Sequence, residues 1–106
     1  MKQEDFNIMT NIKIIEDLKA QLICVIGEFF RLLNKGNNVA QEAVSEIISG
    51  AIIILYVLAA KLGYSFAEID HVVKRKLEMG IRGEDLIERN DRSLSKLKKY
   101  INNRID

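Results

Sequence analysis

The sequence that decides the fold is Ile47-Ile48-Ser49-Gly50-Ala51-Ile52-Ile53-Ile54-Leu55-Tyr56-Val57-Leu58-Ala59-Ala60, bounded by Glu46 and Lys61. Two small residues, Ser49 and Gly50, are all that interrupt its apolar character. These residues fall short of the roughly 18 to 20 that a helix needs to cross a bilayer. A helix that is apolar all round has to be covered all round, so the stretch predicts a core helix rather than a membrane segment. A small four-helix chain struggles to surround one helix unaided. The same stretch therefore predicts a subunit interface that completes the burial.

The rest of the composition fits a helical protein. Of 106 residues, 48% are hydrophobic and 29% charged, which describes one small domain over residues 1–106. There is no Pro and there are six Gly, too little punctuation for an all-β fold. A single Cys and a single His leave too few members for a disulfide framework, a Cys/His zinc site or a Cys-His catalytic pair, so any metal would be held by oxygen. Sixteen basic against fifteen acidic residues give a net charge of +1 and no global attraction to nucleic acid or an anionic membrane. Residues 1–10 lack the apolar core of a signal peptide and read as a flexible lead-in, which makes the cytoplasm the default location. Cys24, in an apolar helical context, reads as a buried small hydrophobe.

Outward from the apolar stretch, helical periodicity continues in both directions. Before it, Ile12, Ile15, Leu18, Leu22, Val25, Ile26, Phe29, Leu32 and Leu33 recur at three and four, one face of an amphipathic helix with Thr10 as its N-cap. Lys35 and Gly36 mark the exit, and Asn38 with Gln41 resembles a capping box opening the apolar helix. Gly63 closes that helix. Ser65 with Glu68 is a second capping box, and Phe66, Ile69, Val72, Val73, Lys76 and Leu77 stripe a third helix that Gly80 and Gly83 end. Residues 84–106 form a C-terminal helical extension with a break at residues 90–93, where four polar residues interrupt the stripe. The predicted fold is all-α, an up-and-down bundle of three to four helices completed by oligomerisation, as a homodimer or homotetramer.

Three groups of residues carry a resemblance. Leu22-Ile23-Cys24-Val25-Ile26-Gly27-Glu28-Phe29-Phe30-Arg31-Leu32-Leu33 resembles the first motif helix of the MazG-like nucleotide pyrophosphohydrolases, in which a Glu-Glu pair is followed after two residues by a further Glu. Glu46 and Ser49 stand where the family has a Glu and an Asp three residues apart, at the start of an apolar helix ending in Leu62-Gly63. Lys76 and Arg82 stand where it has a Lys and a basic residue, with Gly80 in place of an Asn between them. The resemblance spans residues 18–82. It implies an all-α bundle, a nucleotide ligand whose phosphates face Lys76 and Arg82, and Mg²⁺ held by carboxylates.

The chemistry explains the carboxylates. Mg²⁺ takes an octahedral shell of hard oxygens, and acids three or four apart on facing helices can supply one. Here two of the five acidic positions survive, Glu28 and Glu46, while Cys24, Val25 and Ser49 occupy the others. Arg31, three residues after Glu28, is placed to pair with the carboxylate that should bind metal. Glu42, one turn before Glu46, and Asp70 in the third helix are the acids that a rearranged site would recruit. Glu42 reads equally as a solvated first-turn acid. The expectation is a MazG-like protein with impaired or absent hydrolysis that binds a nucleotide. The alternatives are an active Mg-dependent nucleoside triphosphate pyrophosphohydrolase with a reduced carboxylate site, and a non-catalytic oligomerisation or regulatory module.

Basic residues are concentrated late. Residues 71–106 hold ten basic and six acidic side chains, with one run at Lys74, Arg75 and Lys76 and another at Lys96, Lys98 and Lys99. Without a recognisable nucleic-acid motif, and with Tyr100 the sole aromatic beside its lysines, nucleic-acid binding is not expected. His71 reads as a surface histidine, and Phe29, Phe30 and Tyr56 as core or interface residues.

Overall fold

The structure, a computed structural model, describes residues 3–36 and 41–104. Five helices and no strand occur among them: α1 Gln3–Leu33, α2 Gln41–Lys61, α3 Phe66–Arg82, α4 Leu86–Asp91 and α5 Ser93–Asn103. The expected all-α class holds. The helix count differs, because the last segment divides at Arg92 into α4 and α5 within the polar interruption at residues 90–93. The chain forms two compact units, Met1–Ser65 and Phe66–Asp106.

In the first unit α1 packs along α2. The inward stripe of α1 is Ile15, Leu18, Leu22, Val25, Phe29 and Leu32, half-buried or buried, as the three-and-four spacing requires. Helix α1 begins at Gln3, so Thr10 lies inside it and caps nothing, and residues 3–10 continue the helix instead of leading into it. Cys24 is exposed. It lies one position off the stripe, about 100° round the helix from Val25, which corrects its expected burial.

Helix α2 corrects a larger expectation. It has 21 residues, since the flanking polar turns also fold as helix, and its most apolar window reaches a mean hydropathy of 2.2. By length and composition it could cross a membrane, so the shortness of residues 47–60 does not exclude that. Nor does the chain cover it on every side. Ile54 is its one buried residue among those described, while Ile48, Ile52, Ile53 and Leu55 are exposed. One neighbouring helix can shield one face only.

The exit of α2 follows its sequence closely. Gly63 adopts φ 101°, its N–H donates to Ala60 O at 3.1 Å, and the N–H of Tyr64 reaches back to Ala59 O at 3.0 Å. This is a Schellman closure, which favours glycine at the left-handed position. Gly36, with φ 67°, turns the chain after α1 as expected. Asn38 lies outside the described residues, and α2 begins at its partner Gln41.

The second unit packs α3 and α4 against α5, with Leu77 and Ile101 buried between them. Helix α3 runs through Gly80 to Arg82, so Gly80 does not end it. Gly80 is buried, and a Cβ added there would lie 2.6 Å from Leu94 Cδ1 of α5. Its role is close approach between helices. The left-handed residue that closes α3 is Glu84, φ 51°, one place after Gly83.

Candidate functional site

Of the residues singled out in the sequence, Glu28 is the most strongly engaged. It lies on the half-buried flank of α1, where Arg31 grips its carboxylate with both arms of the guanidinium: Nε donates to Oε2 at 2.8 Å and Nη2 to Oε1. The fork places two charge-assisted bonds on one carboxylate. It holds the Glu28 carboxyl below its usual range, chiefly through these hydrogen bonds, and the Arg31 guanidinium above its own. The pairing anticipated from the i+3 spacing is therefore formed.

Glu46 sits on the outward face of α2. It lines an open depression of about 340 Å³ with Ser45, Ser49, Gly50 and Ile53, so the two positions of the second motif share one surface. Glu42 is exposed in the first turn of α2, outside that depression, with its main-chain oxygen accepting from Ser45 Oγ at 3.1 Å. Asp70 belongs to the second unit, where Arg104 Nη2 lies 3.7 Å from its Oδ1. Among the described residues no three Asp, Glu, His or Cys side chains gather where a metal ion could be held. The donor set within one chain does not fit Mg²⁺. One surviving acid is spent on a guanidinium, another faces hydroxyls and an alkyl chain, and hydroxyls supply no negative charge.

The basic residues expected to face phosphates lie on the second unit. Lys76 is exposed on α3, and Arg82, its last residue, is exposed with Nη2 3.8 Å from Glu78 Oε2. Lys98 approaches the other oxygen of Glu78 at 3.4 Å. The carboxylate of Glu78 thus lies between a cation of α3 and a cation of α5. Beside it, Ile81, Ser95, Lys98, Lys99, Asn102 and Asn103 line a groove of about 340 Å³. His71 is exposed, as expected. Tyr100 is exposed too, with the Arg104 guanidinium carbon 6.0 Å from its ring centre.

One buried acid escaped the sequence reading. Glu88, 6% exposed, has no cation at bonding distance among the described residues, yet its carboxylate caps the start of α5: Ser95 N–H donates to Oε1 at 3.0 Å and Ser95 Oγ to Oε2. These bonds, the hydroxyl first, hold its carboxyl below the usual range. The signal was an acid seven residues before a serine across a break. It becomes readable once the break is known to turn the chain back.

An all-α protein with Glu28 held by Arg31 and a late cluster of cations is the class the geometry defines. The model of the MazG-like family matches residues 8–94. The chain belongs to the MazG-like family. No curated protein and no solved structure matches it.

Proposed function

We propose that this chain is a MazG-like protein that binds a nucleotide and hydrolyses it poorly or not at all. The observation that carries the reading is the Arg31 fork on Glu28. A carboxylate whose two oxygens both accept from a guanidinium must give up those bonds to ligate a cation. The charge missing at Cys24, Val25 and Ser49 leaves little to attract the cation in compensation. Lys76 and Arg82 keep exposed cationic groups on α3, suited to a nucleotide's phosphates.

In this reading the protein works in the cytoplasm as a homodimer or homotetramer, and another copy rather than lipid covers α2. The exposed residues Ile48, Ile52, Ile53 and Leu55, with Ile23, Ile26 and Phe30 of α1, support assembly. The experiment is phosphate and pyrophosphate release from a nucleotide panel with Mg²⁺ or Mn²⁺, alongside melting temperatures with the same nucleotides. The expected result is a rise in melting temperature with at least one nucleotide and no turnover that Glu28→Gln or Glu46→Gln removes. Metal-dependent turnover lost in those variants would establish the active reading instead. No shift with any nucleotide would leave the oligomerisation module.

A further inference from the structure

We propose that the groove between α3 and α5 is an anion site for a small, multiply charged phosphate compound. The site is independent of the nucleotide reading above, and four of its lining residues with side-chain donors, Lys98, Lys99, Asn102 and Asn103, lie beyond the residues matched by the family model. Two lysines and two asparagines line one depression, and no carboxylate lines it. The spacing is regular. Lys98 with Asn102 and Lys99 with Asn103 are both four residues apart, so each amine has an amide one turn along the same flank. Lys99, Asn102 and Asn103 have no side-chain partner among the described residues. The remaining polar residue, Ser95, has committed its O–H to Glu88 and serves as wall.

Charge favours an anion here. Two acids stand behind the lining: Glu78, shared between Lys98 at 3.4 Å and Arg82 at 3.8 Å, and Glu88, bonded to Ser95, so the three cations Arg82, Lys98 and Lys99 exceed them by one. From Arg92 to Arg104 the chain holds five basic residues and no acid. The lysines are not simply counterions for the carbonyl end of α5. Its last turn contains no basic residue, and that end is closed by Arg104, whose N–H donates to Tyr100 O at 3.1 Å.

A compact anion fits better than a long polyanion. The same unit carries Glu68, Asp70, Glu84, Asp85 and Asp91, which weaken its attraction for a long polyanion. Adjacent phosphoryl groups, as in inorganic pyrophosphate or in the phosphate tail of a nucleotide, match two parallel amine–amide pairs.

The test is calorimetric titration of the full chain at low salt with inorganic pyrophosphate, a nucleoside triphosphate and a short single-stranded oligonucleotide, without divalent metal. Pyrophosphate should bind saturably, one per chain, and added salt should weaken it. The double variant Lys98→Gln/Lys99→Gln should weaken binding by about 10-fold or more, since each ammonium contact is charge-assisted. Asn102→Asp/Asn103→Asp should abolish it by placing like charge in the groove. Lys74→Gln/Arg75→Gln removes the same charge elsewhere on the unit and should change affinity by less than about 2-fold, and circular dichroism confirms that each variant is folded. If the nucleoside triphosphate loses affinity in parallel with pyrophosphate, the site takes the nucleotide's tail. If only pyrophosphate is affected, it takes the free anion, and either result supports the site. Absence of saturable pyrophosphate binding, equal losses in both charge-removing variants, or binding of the oligonucleotide alone would overturn it. The same double variant separates the two readings: a nucleotide-induced rise in melting temperature that persists in Lys98→Gln/Lys99→Gln belongs to the nucleotide reading, and one lost with it belongs to the groove.

Discussion

Glu84 and Arg92 hold backbone conformations that L side chains seldom adopt, with φ of 51° and 57°. A side chain in the left-handed region costs about 1–2 kcal/mol, against about 0.5–1 kcal/mol of extra unfolded-state freedom for a glycine in its place. Glu84→Gly is therefore expected to stabilise the protein by about 0.5–1 kcal/mol, seen as a higher urea midpoint at unchanged slope. Glycines at 80 and 83 marked the right neighbourhood in the sequence but not the right residue. A turn's left-handed position is set by which carbonyls the returning N–H groups reach: here Glu84 N–H finds Ile81 O and Asp85 N–H finds Gly80 O, both at 3.1 Å. Glu28 poses a different test at the same scale. Its carboxyl is held low by Arg31, so Arg31→Ala should raise its titration midpoint toward that of an ordinary Glu, followed by carbon-detected NMR. Because the folded-state value is depressed, the pair's contribution is present above the unfolded value, about 4.3, and lost as pH falls through the folded one. A midpoint that does not move in Arg31→Ala would mean the fork is not populated in solution.

Among the helices, α5 depends most on a residue outside itself. Two hydrogen bonds join Ser95 to the Glu88 carboxylate, and its N–H is one of those that the first turn of any helix leaves open. Glu88→Gln retains the shape but removes the charge that faces the positive end of the helix. It should lower the melting temperature and fray α5, visible as faster amide exchange at Leu94 and Ser95. The depressed carboxyl sets the sign of the pH effect: this stabilisation is complete above the ordinary Glu range and is lost as pH falls through the lowered folded-state value. Close packing sets a second dependence. Gly80→Val, whose side chain meets Leu94, should cost about 2 kcal/mol through overpacking of the α3–α5 contact. The helices themselves were legible in the sequence because burial of one face writes a three-and-four spacing into the chain. The polar run at residues 90–93 correctly placed the break. The start of α1 was not legible, since Thr10 looks like a cap only if helix is absent before it. Glu88 was not legible because its bond to Ser95 depends on how the chain turns back at the break, nor was the Asp70–Arg104 pair, which links positions far apart in the sequence.

At the scale of the whole molecule, the balance between exposed and buried apolar surface argues for partners. Leu32, Ile54, Leu77 and Ile101 are the buried hydrophobic residues among those described, while Ile23 is 72% and Ile53 62% exposed. Monomeric proteins rarely leave so much contiguous apolar surface in water, and a small domain has little core to spare. The reading of residues 47–60 as a helix covered by its own chain does not hold, since Ile48, Ile52, Ile53 and Leu55 are exposed. Composition records that a surface must be covered but not by which chain. A carboxylate placed in that surface decides between the occupants. Ile53→Glu faces solvent in a single chain, so a monomer would tolerate it within about 0.5 kcal/mol, as most surface substitutions are tolerated. In an assembly it buries an unpaired charge, which costs several kcal/mol. Light scattering should therefore show a dimer or tetramer for the parent chain and a smaller species, melting at lower temperature, for Ile53→Glu, with Arg75→Glu unchanged in both respects. A parent chain that is monomeric in detergent-free buffer at micromolar concentration would end the shared-interface account. A chain that needs detergent to stay dispersed, and that partitions into vesicles until Ile53→Glu releases it, would assign α2 to lipid.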